Sequence, residues 1–443
     1  MRLLGSLLLL SLLPPPAGAA AQPEPEGALW STGTYVRAVL EASPEVQQAR
    51  EDSSAAAAVR RSQFARAYFP SLAFAAVLRP AQLAGGPRFT FGSWRAGADD
   101  LTLTPGLNWN FFNSFKDELS LRSKSLKQRA ADLEFETRLQ NTALGAVRTY
   151  YGLFLRDKLL AVSAQNLSVQ KAQYELTLDR YQHGMKSLSD LLKTETDWQS
   201  TRLSAETAQA QRRLALFRFN VAVTRAEDSP AAFPDPAGAV PPAVPDLEAG
   251  LRSALLDRPE MRKDRLSLEL ADADYRLAKI SAGPGLSLDF DLSQRYDAAY
   301  GRPPTSYGLR NTDYNFTLKL ALPSAFNLYS QTQDVAAAGA QWRKSRQGSE
   351  ALRRALREEV YQAHIELMRA IRSHEIALRK EDISRQNLEI VQEQYSQGSA
   401  DVIRLSQAQA DYFNAQQERV QSFHDANVNW ARWQVAIGVP IWR

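Results

Sequence analysis

The sequence contains no cysteine. That removes a disulfide scaffold, a thiolate zinc site, a cysteine nucleophile and an amino-terminal lipid-anchored cysteine, each of which needs a sulfur. It also lacks a charge bias: 53 Lys+Arg against 49 Asp+Glu leave +4 over 443 residues, with the two signs interleaved. No basic footprint for nucleic acid results. Histidine is scarce, and His183, His364, His374 and His424 are neither at metal-ligand spacing nor beside fixed carboxylates, so they read as solvated helix residues rather than a metal site. Phosphate loops, dinucleotide fingerprints and nucleophile elbows are missing, so no enzyme activity and no cofactor is expected. Past residue 21 no stretch approaches the ~20 apolar residues that a membrane helix requires, and any entry into a bilayer would have to be as a β-barrel. Mean hydropathy is −0.37.

Against that background the amino terminus stands out. Arg2 supplies a positive start, Leu3 to Leu13 an apolar core, and Ala17-Gly18-Ala19 or Ala19-Ala20-Ala21 a small-residue cleavage site, with Pro14-Pro15-Pro16 between. This is the pattern of a secretory signal peptide over residues 1–21.

Comparison of the chain with itself finds a duplication. Tyr181-Gln182-His183-Gly184 recurs as Tyr395-Ser396-Gln397-Gly398, a shift of 214 that also carries Leu188 onto Val402, Leu191 onto Leu405, Asp197 onto Asp411 and Trp198 onto Tyr412. The first repeat covers 22–227 and the second 247–443. Between them, 228–246 carries Pro230, Pro234, Pro236, Pro241, Pro242 and Pro245 and reads as an extended linker. The pattern within each copy predicts helix, strand, strand, very long helix, tight turn, helix. The first copy has helix 34–67, strands 71–79 and 101–111, and helices 115–183 and 187–227. The second has helix 247–281, strands 285–293 and 313–322, and helices 327–397 and 400–437. Leu153, Leu160, Leu167, Tyr174 and Tyr181 fall seven apart, with Ala164 and Leu178 in the intervening seam. This is coiled-coil periodicity on an otherwise polar helix. At ~1.5 Å per residue the two shorter helices of a copy together match the long one.

The strands alternate. Leu101, Leu103, Leu107, Trp109 and Phe111 interleave with Thr102, Thr104, Asn108 and Asn110; Leu286 to Leu292 and Tyr314 to Leu322 do the same with Ser287, Asp289, Asp291, Asn315, Thr317 and Lys319. Segments of about ten residues with one apolar and one polar face suit an outer-membrane barrel. Four strands cannot close one, so several chains must contribute.

The twin Tyr-x-x-Gly turns, the run Ser187-Leu188-Ser189-Asp190-Leu191-Leu192 and the closing Ala436-Ile437-Gly438 together resemble the TolC-type outer-membrane efflux protein family. The resemblance spans essentially the whole mature length. It implies a mainly α fold with a small membrane β part: a long helical coiled-coil barrel and four transmembrane strands per chain, twelve in a homotrimer. It further implies a passive exit duct in the outer membrane of a Gram-negative-type cell, extending into the periplasm. Its partners would be outer-membrane lipid, a periplasmic adaptor (membrane fusion protein) and an inner-membrane transporter that supplies the energy. By the same resemblance the adaptor meets the tip formed by Tyr181, Gly184, Met185, Ser187, Tyr395, Gly398 and Ser399, while Asp190 and Tyr395 tether the two turns. The family's paired gate aspartates are replaced by Arg404 and Gln407, leaving Asp401 as the nearest carboxylate. An acidic constriction is therefore not carried over, and Arg404 stands one turn from the arginine that the family places at Ala400. The alternatives are a periplasmic coiled-coil adaptor and a structural coiled-coil protein with no pore. The first expects one hairpin between β-rich halves, and the second explains neither the export signal nor the alternating strands.

Overall fold

The computed structural model describes residues 29–79, 100–234, 244–297, 312–322 and 325–442. The predicted signal peptide and positions 235–243 of the linker lie outside the described residues. In chain order the elements are α1 (Thr32–Ala42), α2 (Pro44–Tyr68), β1 (Ser71–Arg79), β2 (Asp100–Phe112), α3 (Lys116–Gln182), α4 (Leu188–Ala222), α5 (Leu247–Asp257), α6 (Pro259–Ile280), β3 (Gly285–Asp297), β4 (Thr312–Ala321), α7 (Ala325–Ser396) and α8 (Val402–Ala436).

The first helix of each repeat, expected to be continuous over 34–67 and 247–281, is broken in two. Ser43 (φ −68°, ψ 120°) and Arg258 (φ −62°, ψ 131°) are extended, and each precedes a proline that opens the next helix. The proline ring drives its predecessor out of the helical region, yet at the first helical position costs no hydrogen bond. The helix expected over 187–227 stops at Ala222. Thr224 turns left-handed (φ 55°), Arg225 N–H donates to the Asn220 carbonyl, and the buried Asn220 amide donates to the carbonyls of Glu227 and Ser229.

The chain forms two compact units. The first comprises the described residues within Met1–Ala42, Gly145–Pro241 and Arg372–Val428. Its aromatic core stacks Tyr35 on Phe219 at 4.0 Å, with Trp30 and Phe233 set edge-on. Tyr35 donates to the Phe219 carbonyl and Tyr150 to that of Trp30. Burial pushes both phenols above their ordinary range, as expected where a phenolate would be stripped of water.

The second unit comprises the described residues within Ser43–Leu144, Pro242–Ile371 and Asn429–Arg443. Its core gathers Ala254, Val360, Ala363, Leu367, Trp433 and Ala436. The duplication persists here in three dimensions. His364 and Trp433 stand where the shift of 214 carries Tyr150 and Phe219, and His364 Nε2 donates to the Pro245 carbonyl just before α5, as Tyr150 does to Trp30 just before α1. Neither His364 nor His374 is a solvated surface residue. His374 is buried, with Nδ1 3.1 Å from Ser422 Oγ, and burial, then the nearby Arg419, holds its pKa below the usual imidazole value. Arg258 is buried at the α5–α6 break, where it pairs with Glu359 at 2.9 Å and Glu260 at 3.0 Å. Burial opposes its charge, and the two carboxylates more than offset that.

The four strands form one antiparallel sheet in the order β1-β2-β3-β4. Through the registers, Ser71 shares a row with Asn108, Asp289 and Thr317, whereas Ala321 pairs with Gly285, so the helix-side ends of β1 and β4 are offset by four residues.

Candidate functional site

Two features answer to the sequence expectations, one in each unit: the pair of helix turns and the sheet.

At the first turn Met185 N–H reaches back to the Arg180 carbonyl and Gly184 N–H to that of Tyr181. At the second, Ser399 reaches Gln394 and Gly398 reaches Tyr395. Both are Schellman endings, and both glycines take the left-handed conformation the motif requires, φ 73° at Gly184 and 77° at Gly398. A side chain at either would meet open space, so the need for glycine is conformational rather than steric. Tyr181, Met185, Ser187 and Ser399 surround the turns, all four exposed.

The following helices start differently. Ser187 Oγ accepts from Asp190 N–H and the Asp190 carboxylate accepts from Ser187 N–H, a reciprocal capping box on α4. Asp401 caps α8 by accepting from Arg404 N–H at 2.8 Å. Gln407 donates to Asp411 one turn along α8, and the Arg404 side chain is exposed.

The twin tyrosines also differ in environment. Tyr181 is exposed, whereas Tyr395 retains only 8% of its surface and packs with Val391, Val402, Leu405 and Ala408 inside the second hairpin. Its ring lies 5.0 Å from Lys186 Nζ and 6.0 Å from Arg180 Cζ, both from the first hairpin, and its hydroxyl accepts a long bond from Gln173 at 3.4 Å. Within one chain Asp190 is thus committed to its own helix, and Tyr395 is gripped by Arg180, Lys186 and Gln173. Pattern reading missed these three. Arg180, next to the turn motif, and Lys186, between Met185 and Ser187, had a positional signal in the sequence; Gln173 had none.

The hairpins meet through a polar interior. Ser163, Gln170 and Thr177 on α3 are buried and seven apart, Gln170 donates to Gln409 on α8 at 3.1 Å, and Ser406 donates to Asp197. The apolar positions Leu160, Leu167, Tyr174 and Leu178 are only half-buried in the single chain.

In the sheet the two faces separate cleanly. Leu72, Leu107, Phe290 and Phe316 form one row and Trp109, Leu288 and Leu318 another, all on one face. That face is uncovered at its edges: Leu72 is 83% and Phe316 70% exposed. The opposite face carries Asn108, Asp289 and Lys319, with the Asp289–Lys319 ion pair at 2.7 Å and an Asn108–Asp289 hydrogen bond. A sheet apolar toward one medium and ionic toward the other has the polarity of a barrel wall between lipid and water.

The family model described as outer membrane efflux protein matches residues 35–222 and 250–439. Among solved structures the chain is similar to CusC, with TM-score 0.78 and 16% identity over 96% of this chain and 99% of that one. It is also similar to the CmeC outer membrane channel of Campylobacter jejuni, with TM-score 0.77 and 16% identity over 95% and 90%. For the open state of the MtrE outer membrane channel of Neisseria gonorrhoeae the values are TM-score 0.76 and 15% identity over 93% and 89%. No curated protein matches the sequence significantly.

Proposed function

Because the chain belongs to the outer membrane efflux protein (TolC) family, and is one of its non-enzymatic outer-membrane efflux channels, we propose that three copies close a shared twelve-stranded barrel above a periplasmic helical tunnel. The observation that carries this is the sheet: four strands whose edges, β1 and β4, are unpaired among the described residues, and an uncovered apolar face. In lipid an open edge leaves backbone groups unsatisfied at several kcal/mol each, and only closure removes it. The duct is passive. Energy comes from an inner-membrane transporter, coupled through a periplasmic adaptor that docks on the tip residues Tyr181, Gly184, Met185, Ser187, Tyr395, Gly398 and Ser399. The closed tip is held by the Tyr395 clasp, with Asp190, Asp401, Arg404 and Gln407 around the constriction, and residues 1–21 direct export. Mass measurement of the mature chain in mild detergent, together with conductance in planar bilayers, tests the reading. A trimer that conducts is expected; a folded monomer inserted in lipid overturns it.

A further inference from the structure

Charge is unevenly matched along the helices of the second unit. On α7, Arg343, Lys344, Arg346, Arg353, Arg354 and Arg357 lie within fifteen residues, are exposed, and take part in no ion pair among the described residues. The other side of this stretch is occupied: Trp342 stacks on Tyr275, Ser349 bonds Asp264, and Glu359 holds Arg258. Arg343, Gln347 and Arg354 lie on the opposite side of the helix, with Ala340 and Ala336 about one and two turns nearer the sheet than Arg343. On α2, Glu45, Glu51 and Asp52 are exposed and likewise without an ion pair among the described residues. Val46, Ala49 and Ser53 face inward, with Ser53 bonded to Asp132 on α3. That leaves Glu51, Ala55 and Ala58 on the side turned away.

Topology says which surfaces must meet. The sheet order β1-β2-β3-β4 leaves β1 and β4 as its edges; α2 runs into β1 and α7 runs out of β4. In any ring of identical chains closed edge to edge, β4 of one copy pairs with β1 of the next, and α7 of the first then descends beside α2 of the second. Within one chain these two helices are kept apart by α3 and α6. With the helix-side ends of β1 and β4 brought level at the membrane surface by the closed ring, the levels agree as well. Glu51 lies seventeen residues before the end of α2 and Arg343 eighteen after the start of α7, which at ~1.5 Å per residue places them about 26 and 27 Å from the sheet. Ala55 and Ala58 fall at nearly the level of Ala340 and Ala336, about 15 to 23 Å down. Small side chains on both helices there let the backbones approach and shield the charged pair from water.

We propose that this is the contact between subunits: α7 of one copy packs along α2 of the next, with Arg343 of the first paired to Glu51 of the second. The partner is a second copy of this chain, and the proposal rests on the closed-ring reading above while fixing which faces meet and at what level.

The absence of native cysteine makes the test clean. The full-length double variant Glu51→Cys/Arg343→Cys, oxidised in outer membranes, is expected to give a ladder of dimers and trimers on a non-reducing gel. The mismatched pair Ala65→Cys/Arg354→Cys should give none. Charge reversal gives a second readout: Glu51→Arg or Arg343→Glu should each lower the temperature at which trimers separate into monomers, and the two together should restore it. A trimer that cross-links only through the mismatched pair, or whose separation temperature the two reversals lower additively, overturns the proposed interface and leaves the channel reading standing. A native chain that is monomeric in the membrane overturns both.

Discussion

The clasp around Tyr395 lends itself to a quantitative test. Two cations from the first hairpin, Lys186 at 5.0 Å and Arg180 at 6.0 Å, face a ring rooted in the core of the second. A cation over an aromatic face contributes about 0.5–1 kcal/mol when exposed and about 2 when desolvated. The ring is buried while the cations are half-exposed, so about 1 kcal/mol each is appropriate. The hydroxyl adds little, because the Gln173 bond is long at 3.4 Å; about 0.5 kcal/mol is a fair share. Removing both cations in Lys186→Ala/Arg180→Ala should therefore shift the equilibrium between joined and parted hairpins by about 2 kcal/mol, roughly 30-fold. Tyr395→Phe, which keeps the ring, should shift it about twofold. If the tip is the gate, single-channel recordings in planar bilayers will show a much larger gain in open time for the double alanine variant than for Tyr395→Phe. The reasoning is refuted if the phenylalanine variant equals or exceeds it, because the hydroxyl would then be the tether, or if neither changes the open time.

Other consequences can be checked separately. Phe316→Arg should impair membrane insertion by about 2–4 kcal/mol near the bilayer centre, while Thr317→Arg on the opposite face should be mild, as measured by folding yield into lipid vesicles. Arg258→Ala should destabilise the second unit by about 2–3 kcal/mol, less than for a fully buried pair because Glu260 and Glu359 can rehydrate; Arg258→Lys should not rescue it, since one ammonium cannot reproduce the fork, and thermal melting reads both. His374 is held neutral in the folded protein, so acidification protonates the unfolded chain first. Stability should fall as pH drops below about 6.5, level off once pH passes the lower native value, and be flat above 7. Melting of His374→Gln against pH should lose that slope.

What the sequence revealed depended on the kind of signal each feature leaves. The strands were legible because a half-buried strand has a period of two, and Leu286 to Leu292 paired with Tyr314 to Leu320 obey it without exception. The twin turns were legible because left-handed Gly184 and Gly398 leave a residue type behind. The breaks at Ser43 and Arg258 were marked in the sequence, since Pro44 and Pro259 fall more than two turns inside the expected helices, where a proline ends or kinks a helix; the continuous reading gave the flanking helical pattern more weight than the prolines. The polar interior at Ser163, Gln170 and Thr177 left no trace, since hydrophobic periodicity selects the apolar face and in the single chain that face is only half covered. Duplication alone does not separate Tyr395 from Tyr181, since the two positions are equivalent in the repeat, whereas burial and the clasp of Tyr395 are set by contacts between the hairpins.

The four-residue offset between the helix-side ends of β1 and β4 arises wholly at the first seam. Phe112, Leu286 and Leu320 lie in one row at the helix-side ends of β2, β3 and β4, whereas β1 begins at Ser71, opposite Asn108. β1 therefore stops about 13 Å short of its neighbours at ~3.3 Å per residue. In the proposed twelve-stranded barrel the bore follows from closure: at a tilt of about 40° each strand occupies about 6.3 Å of circumference, and twelve enclose a radius of about 12 Å to the backbone. Polar side chains such as Asp289 and Lys319, projecting roughly 5 Å inward, would leave on the order of 15 Å of clear width, room for hydrated solutes of moderate size and too little for a folded domain.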